Sequence, residues 1–163
     1  MTIELLREKL WQSYFAADVN VRYWKMYGDR AQLVERSIKS ILALASVMSA
    51  AAFCIADKWH GFATLMAVVS GVIATVFVPV FGLDGVAQKI IRIRNRWIDV
   101  RLAYESLREE AWESPDAADK IGKKFARWQE ADKELEQEHE WLPVSEKFRT
   151  KATVESETIL TNV

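Results

Sequence analysis

Residues 40–83 read SILALASVMSAAAFCIA, then DK, then WHGFATLMAVVSGVIATVFVPVFGL, and the fold turns on how this stretch is read. No formal charge occurs from Ser40 to Ala56 or from Trp59 to Leu83, and Asp57-Lys58 is the only break. At 1.5 Å per helical residue the two segments cover roughly 25 Å and roughly 37 Å, against about 30 Å of hydrocarbon core. Lys39 is placed to snorkel, which brings Ile38 into the first span, and the second has room to tilt or to bend at Pro79. So short a break forces the segments antiparallel. The expectation is a transmembrane hairpin over residues 37–84, with spans at about 38–56 and 59–83. Two buried helices of a water-soluble bundle would also be apolar all round.

Flanking charge separates the two readings. Arg30, Arg36 and Lys39 precede the first segment, and Lys89, Arg92, Arg94, Arg96 and Arg101 follow the second. The turn offers only Lys58. This asymmetry predicts both termini in the cytoplasm and the turn outside, with Trp59 at the outer interface. Small residues then mark where helices approach closely: Ala45 and Ser49 in the first span, and Ala67, Gly71 and Thr75, four apart, in the second. Neither span carries an ionisable residue at mid-depth, which argues against proton or ion coupling.

Working outward, residues 1–36 form one cytosolic helical pattern. Leu10, Tyr14, Ala17, Val21, Trp24, Gly28 and Ala31 alternate spacings of four and three, the period of a coiled-coil seam. After the glycines at 82 and 85, the stripe Val86, Ile90, Ile93, Trp97, Val100, Tyr104, Leu107 and Ala111 repeats that period. The two stripes are expected to pack on each other as an antiparallel stalk, with Trp24, Ile93, Trp97 and Tyr104 in the seam. Ser114-Pro115 signals a further helix, with Ser114 as its cap, running to about Trp141 before Pro143. Its stripe of Ile121, Phe125, Trp128, Leu135 and Leu142 is interrupted by Asp132. Residues 85–142 are therefore read as cytosolic helices, and 143–163, rich in Thr, Ser and Glu, as a flexible tail. The expected fold class is all-α: a two-helix transmembrane hairpin extended by long cytosolic helices.

The whole-chain numbers conceal this layout. Net charge is −1, charged residues make up 28% of the 163, and mean hydropathy is −0.07, because polar helices dilute the apolar stretch. Near-neutrality gives no case for nucleic acid as the main partner. The single Cys54 excludes an intrachain disulfide and is read as a packing residue. Since Met1 to Lys39 is charged and amphipathic, no cleavable signal is expected and the first span serves as its own insertion signal. No phosphate loop, Cys/His metal spacing or nucleophile–base pattern is present, so neither an enzyme nor a cofactor or metal is expected. Two basic groups are candidates for lipid or ligand contact. One is Lys89, Arg92 and Arg96, beside the membrane; the other is Lys120, Lys123, Lys124 and Arg127, farther along.

The layout resembles a family. A helix bearing Arg22-Tyr23-Trp24 and Tyr27, a two-span hairpin, and a helix with Tyr104-Glu105-Ser106-Leu107-Arg108-Glu109-Glu110 look like the SLATT domains. These are bacterial two-span membrane proteins associated with nucleotide-second-messenger and other conflict systems. The resemblance covers roughly residues 10–140 and implies an inner-membrane effector of antiphage defence that perturbs the membrane once a sensor is triggered. The sensor domains usual in the family are not seen in this sequence. The expected trigger is then a separate sensor protein or a diffusible nucleotide, and the expected partners are membrane lipid and further copies of the chain. The alternative is a non-toxic membrane anchor whose cytosolic helices dock a partner.

Overall fold

The computed structural model describes residues 2–55, 60–72, 83–138 and 144–161, and all regular structure among them is helical. The elements are α1 (Ile3–Ile55), α2 (His60–Val72), α3 (Leu83–Glu113), a 3-10 turn (Pro115–Ala117), α4 (Ala118–Glu138) and α5 (Glu146–Leu160). They divide into two compact units: Met1–Tyr27 with Ile90–Val163, and Gly28–Lys89. These boundaries differ from the expected ones at 36 and 84.

The first unit, here the head, is built on the two seams. Leu10, Tyr14, Ala17 and Trp24 of α1 are buried, as are Ile90, Ile93, Trp97, Val100, Tyr104, Leu107 and Ala111 of α3. Burial at alternating spacings of three and four needs a partner helix with the same period, because a straight helix presents one stripe. Contacts give the direction of pairing. Arg7 of α1 donates to the Ala111 carbonyl through Nε (3.1 Å) and Nη2 (2.8 Å). Two turns on, the Arg108 guanidinium lies over the Tyr14 ring at 4.8 Å, and Asp18 meets Arg101 at 3.0 Å. Partner numbers fall as α1 rises, so α1 and α3 are antiparallel.

Helix α4 runs back along α3: Glu110 pairs with Lys124, Tyr104 with Asp132, and Arg96 with Glu138. It buries Ile121, Phe125 and Leu135. Its start departs from expectation. Ser114 makes no side-chain cap; instead its carbonyl accepts from the Ala117 amide at 3.0 Å, and Pro115 opens a 3-10 turn before the α-helix begins. Most of the segment expected to be a flexible tail is α5, antiparallel to α1 through Tyr27–Phe148 and Asp18–Ser156. Composition suggested a tail because large apolar residues are few; the helix docks instead through the small buried residues Ala152 and Ser156.

The second unit holds the rest of α1, α2 and the start of α3. Gly85 has φ +91°, a left-handed value that favours glycine, in the first turn of α3. Among the described residues no helix is long and apolar enough to cross a membrane. Helix α2 has 13 residues, about 20 Å of rise. The turn at 56–59 and residues 73–82, on which much of the second expected span rests, lie outside the described residues.

Candidate functional site: a carboxylate shared by three helices

Three helices of the head, α1, α3 and α5, contribute to one polar constellation in its interior. Asp18, 1% exposed, sits on α1 one turn after Tyr14 and one turn before Arg22. Its Oδ2 accepts from Arg22 Nε at 2.7 Å and from the Ser156 hydroxyl of α5 at 2.9 Å, and its Oδ1 accepts from Arg101 Nη1 of α3 at 3.0 Å. Burial alone would raise this carboxyl, but the hydrogen bonds from Arg22, Arg101 and Ser156 outweigh it and hold Asp18 below its ordinary value. The group is a charged cross-link between α1, α3 and α5. A buried carboxylate is tolerable only with such partners, since a lone ion would cost several kcal/mol of desolvation, on the order of the whole fold's margin.

A second polar contact joins α3 to α4. The Tyr104 hydroxyl donates to Asp132 Oδ2 at 3.2 Å, while the Tyr104 ring packs against Phe125. Burial, the Glu136 charge one turn on and only partial relief from Tyr104 push Asp132 up to about 6. Burial and the Asp132 charge raise the Tyr104 phenol well above its usual range. The residue that interrupts the third stripe is thus the acceptor for a buried phenol.

Around the head end of α1, Tyr23, Trp24 and Tyr27 cluster at ring separations of 5.0–6.0 Å. Phe148 of α5 meets Tyr27 edge-on at 6.2 Å, and the Ser145 amide donates to the Tyr23 hydroxyl at 3.2 Å. The aromatic residues that carried the family resemblance therefore form the platform on which α5 begins.

The expected site residues distribute as follows. Trp24, Ile93, Trp97 and Tyr104 are all buried in the head. Ala67 and Gly71 are exposed and Ala45 is partly so. Among the described residues, a Cβ added at Gly71 would meet no atom within 4 Å beyond its own helix backbone. Thr75 and the side chain of Ser49 lie outside the described residues. Each of the two basic groups has at least one member in an ion pair. Lys89 and Arg92 are exposed, Arg96 pairs with Glu138, and Lys124 pairs with Glu110 at 2.7 Å. Lys120, Lys123 and Arg127 are exposed. In the second unit, an open cleft of about 710 Å³ runs along α1 and includes Asp29, Leu33, Arg36, Ser40 and Ile41.

Sequence reasoning missed Asp18. Its signal was an i,i+4 Asp–Arg pair set into an apolar seam, with Arg101 beside Val100 on the matching stripe. Among the described residues no group of three His, Cys, Asp or Glu side chains is placed to hold a metal ion. What the constellation offers chemically is adhesion between helices rather than a reacting centre. No family profile, characterised protein or solved structure matches the chain.

Proposed function

We propose that the chain is a two-span inner-membrane effector of bacterial antiphage defence, non-enzymatic, with both termini in the cytoplasm, that self-associates and permeabilises the membrane when triggered. The observation that carries this reading is the apolar surface of the second unit. Ile41, Leu44, Val47, Leu65 and Val68 are each 57–66% exposed, and all fall within the two uncharged segments. Exposed large apolar side chains in this number mark a membrane or protein contact. The proposed turn at Asp57-Lys58 and the continuation of the second span through residues 73–82 are argued from the sequence. One hairpin encloses no aqueous path, so permeation needs several copies. The cleft along α1 supports lipid contact, with Arg36 among its lining residues just before the apolar run. The defence role rests on the family resemblance, and the trigger in this proposal is a separate sensor or a diffusible nucleotide.

The second reading is a non-toxic anchor that docks a partner through apolar positions of the third cytosolic helix and the C-terminal segment. Ile121, Phe125 and Leu135 are already buried within the chain. Val144, Val154 and Ile159 of the C-terminal segment remain exposed, and they are the surface on which this reading rests.

The test is induced expression in bacterial cells, with and without phage infection, read by a voltage-sensitive dye and by carbonate extraction of membranes. The expected result is a carbonate-resistant protein whose accumulation or stimulation collapses the potential. Extraction into the soluble fraction removes the membrane reading. Stable membrane retention with an unchanged potential under every condition selects the anchor.

A further inference from the structure

We infer that the face of the head carrying Asp18 is a docking site for a helix that presents a small residue and, one turn later, a hydroxyl. On this inference α5 is its exchangeable occupant, and the same helix of a second copy is the partner that replaces it. Three observations lead there, none of which depends on the membrane reading.

The first is how little α5 buries. Helix α3 inserts Ile90, Ile93, Trp97, Val100, Tyr104 and Leu107, whereas α5 buries only Ala152 and Ser156. Beyond Phe148, which packs on Tyr27, and the half-buried Leu160, its apolar side chains Val154 and Ile159 are about half exposed, at 54% and 47%. Apolar burial scales with area, so α5 is the helix of the head with least holding it.

The second is the chemistry of what does hold it. Ala152 and Ser156 are one turn apart on one face, and the Ser156 hydroxyl donates to the buried Asp18 carboxylate at 2.9 Å. A hydrogen bond to an ion is short-ranged and directional, so it selects the hydroxyl and its register more than it adds bulk affinity. The Ala152 site, with 0% exposure, admits only a small side chain.

The third is what remains if α5 leaves. Asp18 keeps both arginines, Arg22 at 2.7 Å and Arg101 at 3.0 Å. Vacating the site therefore strands no unpaired charge, which is the event that makes most buried ion networks costly to open. A site that stays electrostatically satisfied when empty is suited to exchange. The occupant that matches it in spacing, size and hydroxyl is α5 itself, so a second copy is the partner it fits.

The experiment uses the full chain in detergent micelles. Ala152→Leu should eject α5, since a branched side chain has no room there. Hydrogen exchange should show α5 unprotected while α1 and α3 of the head keep their protection. A fluorescent peptide of residues 144–161 should then bind the Ala152→Leu chain saturably, and the wild-type chain more weakly, because the tethered helix competes. A Ser156→Ala peptide should bind about tenfold more weakly, as expected for loss of one hydrogen bond to a charged group. Where Ala152→Leu is too disruptive, Ser156→Ala in the full chain should selectively speed exchange in α5. Mixing the Ala152→Leu chain, which offers an empty site, with an Asp18→Asn chain, which holds its own helix poorly, should give a heterodimer by native mass spectrometry. Loss of α3 protection together with α5, in both variants, would show one cooperative body and overturn the inference. So would an ejected head that ignores the peptide, equal binding of the two peptides, or no heterodimer.

Discussion

The head and the second unit are made from the same long helix, α1, yet they treat apolar residues in opposite ways. In the head, Trp24, Trp97 and Tyr104 are at most 3% exposed; in the second unit, Leu33, Ile41 and Val47 are about two-thirds exposed. The head's apolar residues recur at three and four with polar residues between, so a partner helix in register covers them all. The uncharged segments have no polar face to turn outward, and two helices side by side cover only one stripe of each. The lesson is that equal hydrophobicity gives burial where it is periodic and exposed surface where it is continuous.

The largest expected effect tests that contrast directly. Trp97→Ala should destabilise the head by about 3–5 kcal/mol in denaturant unfolding, whereas Leu44→Ala should cost under about 0.5 kcal/mol. Comparable costs would mean that the second unit has a packed interior of its own.

Next is the buried carboxylate. Asp18→Ala leaves the Arg101 and Ser156 groups facing an apolar gap and should cost about 3 kcal/mol in thermal or chemical unfolding. Asp18→Asn, which keeps acceptor capacity, should cost less. Equal costs would show that shape, not charge, holds the three helices together.

Asp132 supplies a pH signature confined to the head. Its carboxyl ordinarily titrates at 3.8 and is pushed up to about 6 in the fold. Between those values the folded state holds the extra proton, so this group's contribution to stability falls as pH rises from about 4 to about 6 and is level above. Asp132→Asn should remove that slope. Relative to wild type it should be level with it near pH 4 and about 1–2 kcal/mol more stable at pH 7.5, allowing for partial exposure. A pH-independent difference would mean that Asp132 does not change protonation across this range.

The smallest effect on the chain itself belongs to Gly71. Among the described residues nothing beyond its own helix backbone lies within 4 Å of an added Cβ, so Gly71→Leu should leave unfolding of the chain unchanged to within about 0.5 kcal/mol. If the Ala67–Gly71 face joins copies, the same substitution should abolish higher-order crosslinks in membranes. Wild-type crosslinking would assign that face to lipid.

Much of the head was legible in the residues alone. The period of the stripes from Leu10 to Trp24 and from Ile90 to Ala111 determined the helices, most of their buried faces and their mutual packing, because a helix has one geometry and repeats every 3.6 residues. Three features needed the tertiary structure. Arg101, read from sequence as a membrane-flanking cation, is a ligand of Asp18; Asp132, read as an interruption, accepts from Tyr104; and α5, read as a tail, is docked through Ala152 and Ser156. Each depends on a partner 28 to 138 residues away. Periodicity reports how a helix meets its surroundings on average. Which carboxylate meets which arginine is decided only when antiparallel helices set their register, and a small residue such as Ser156 leaves no hydrophobic trace of the site it fills.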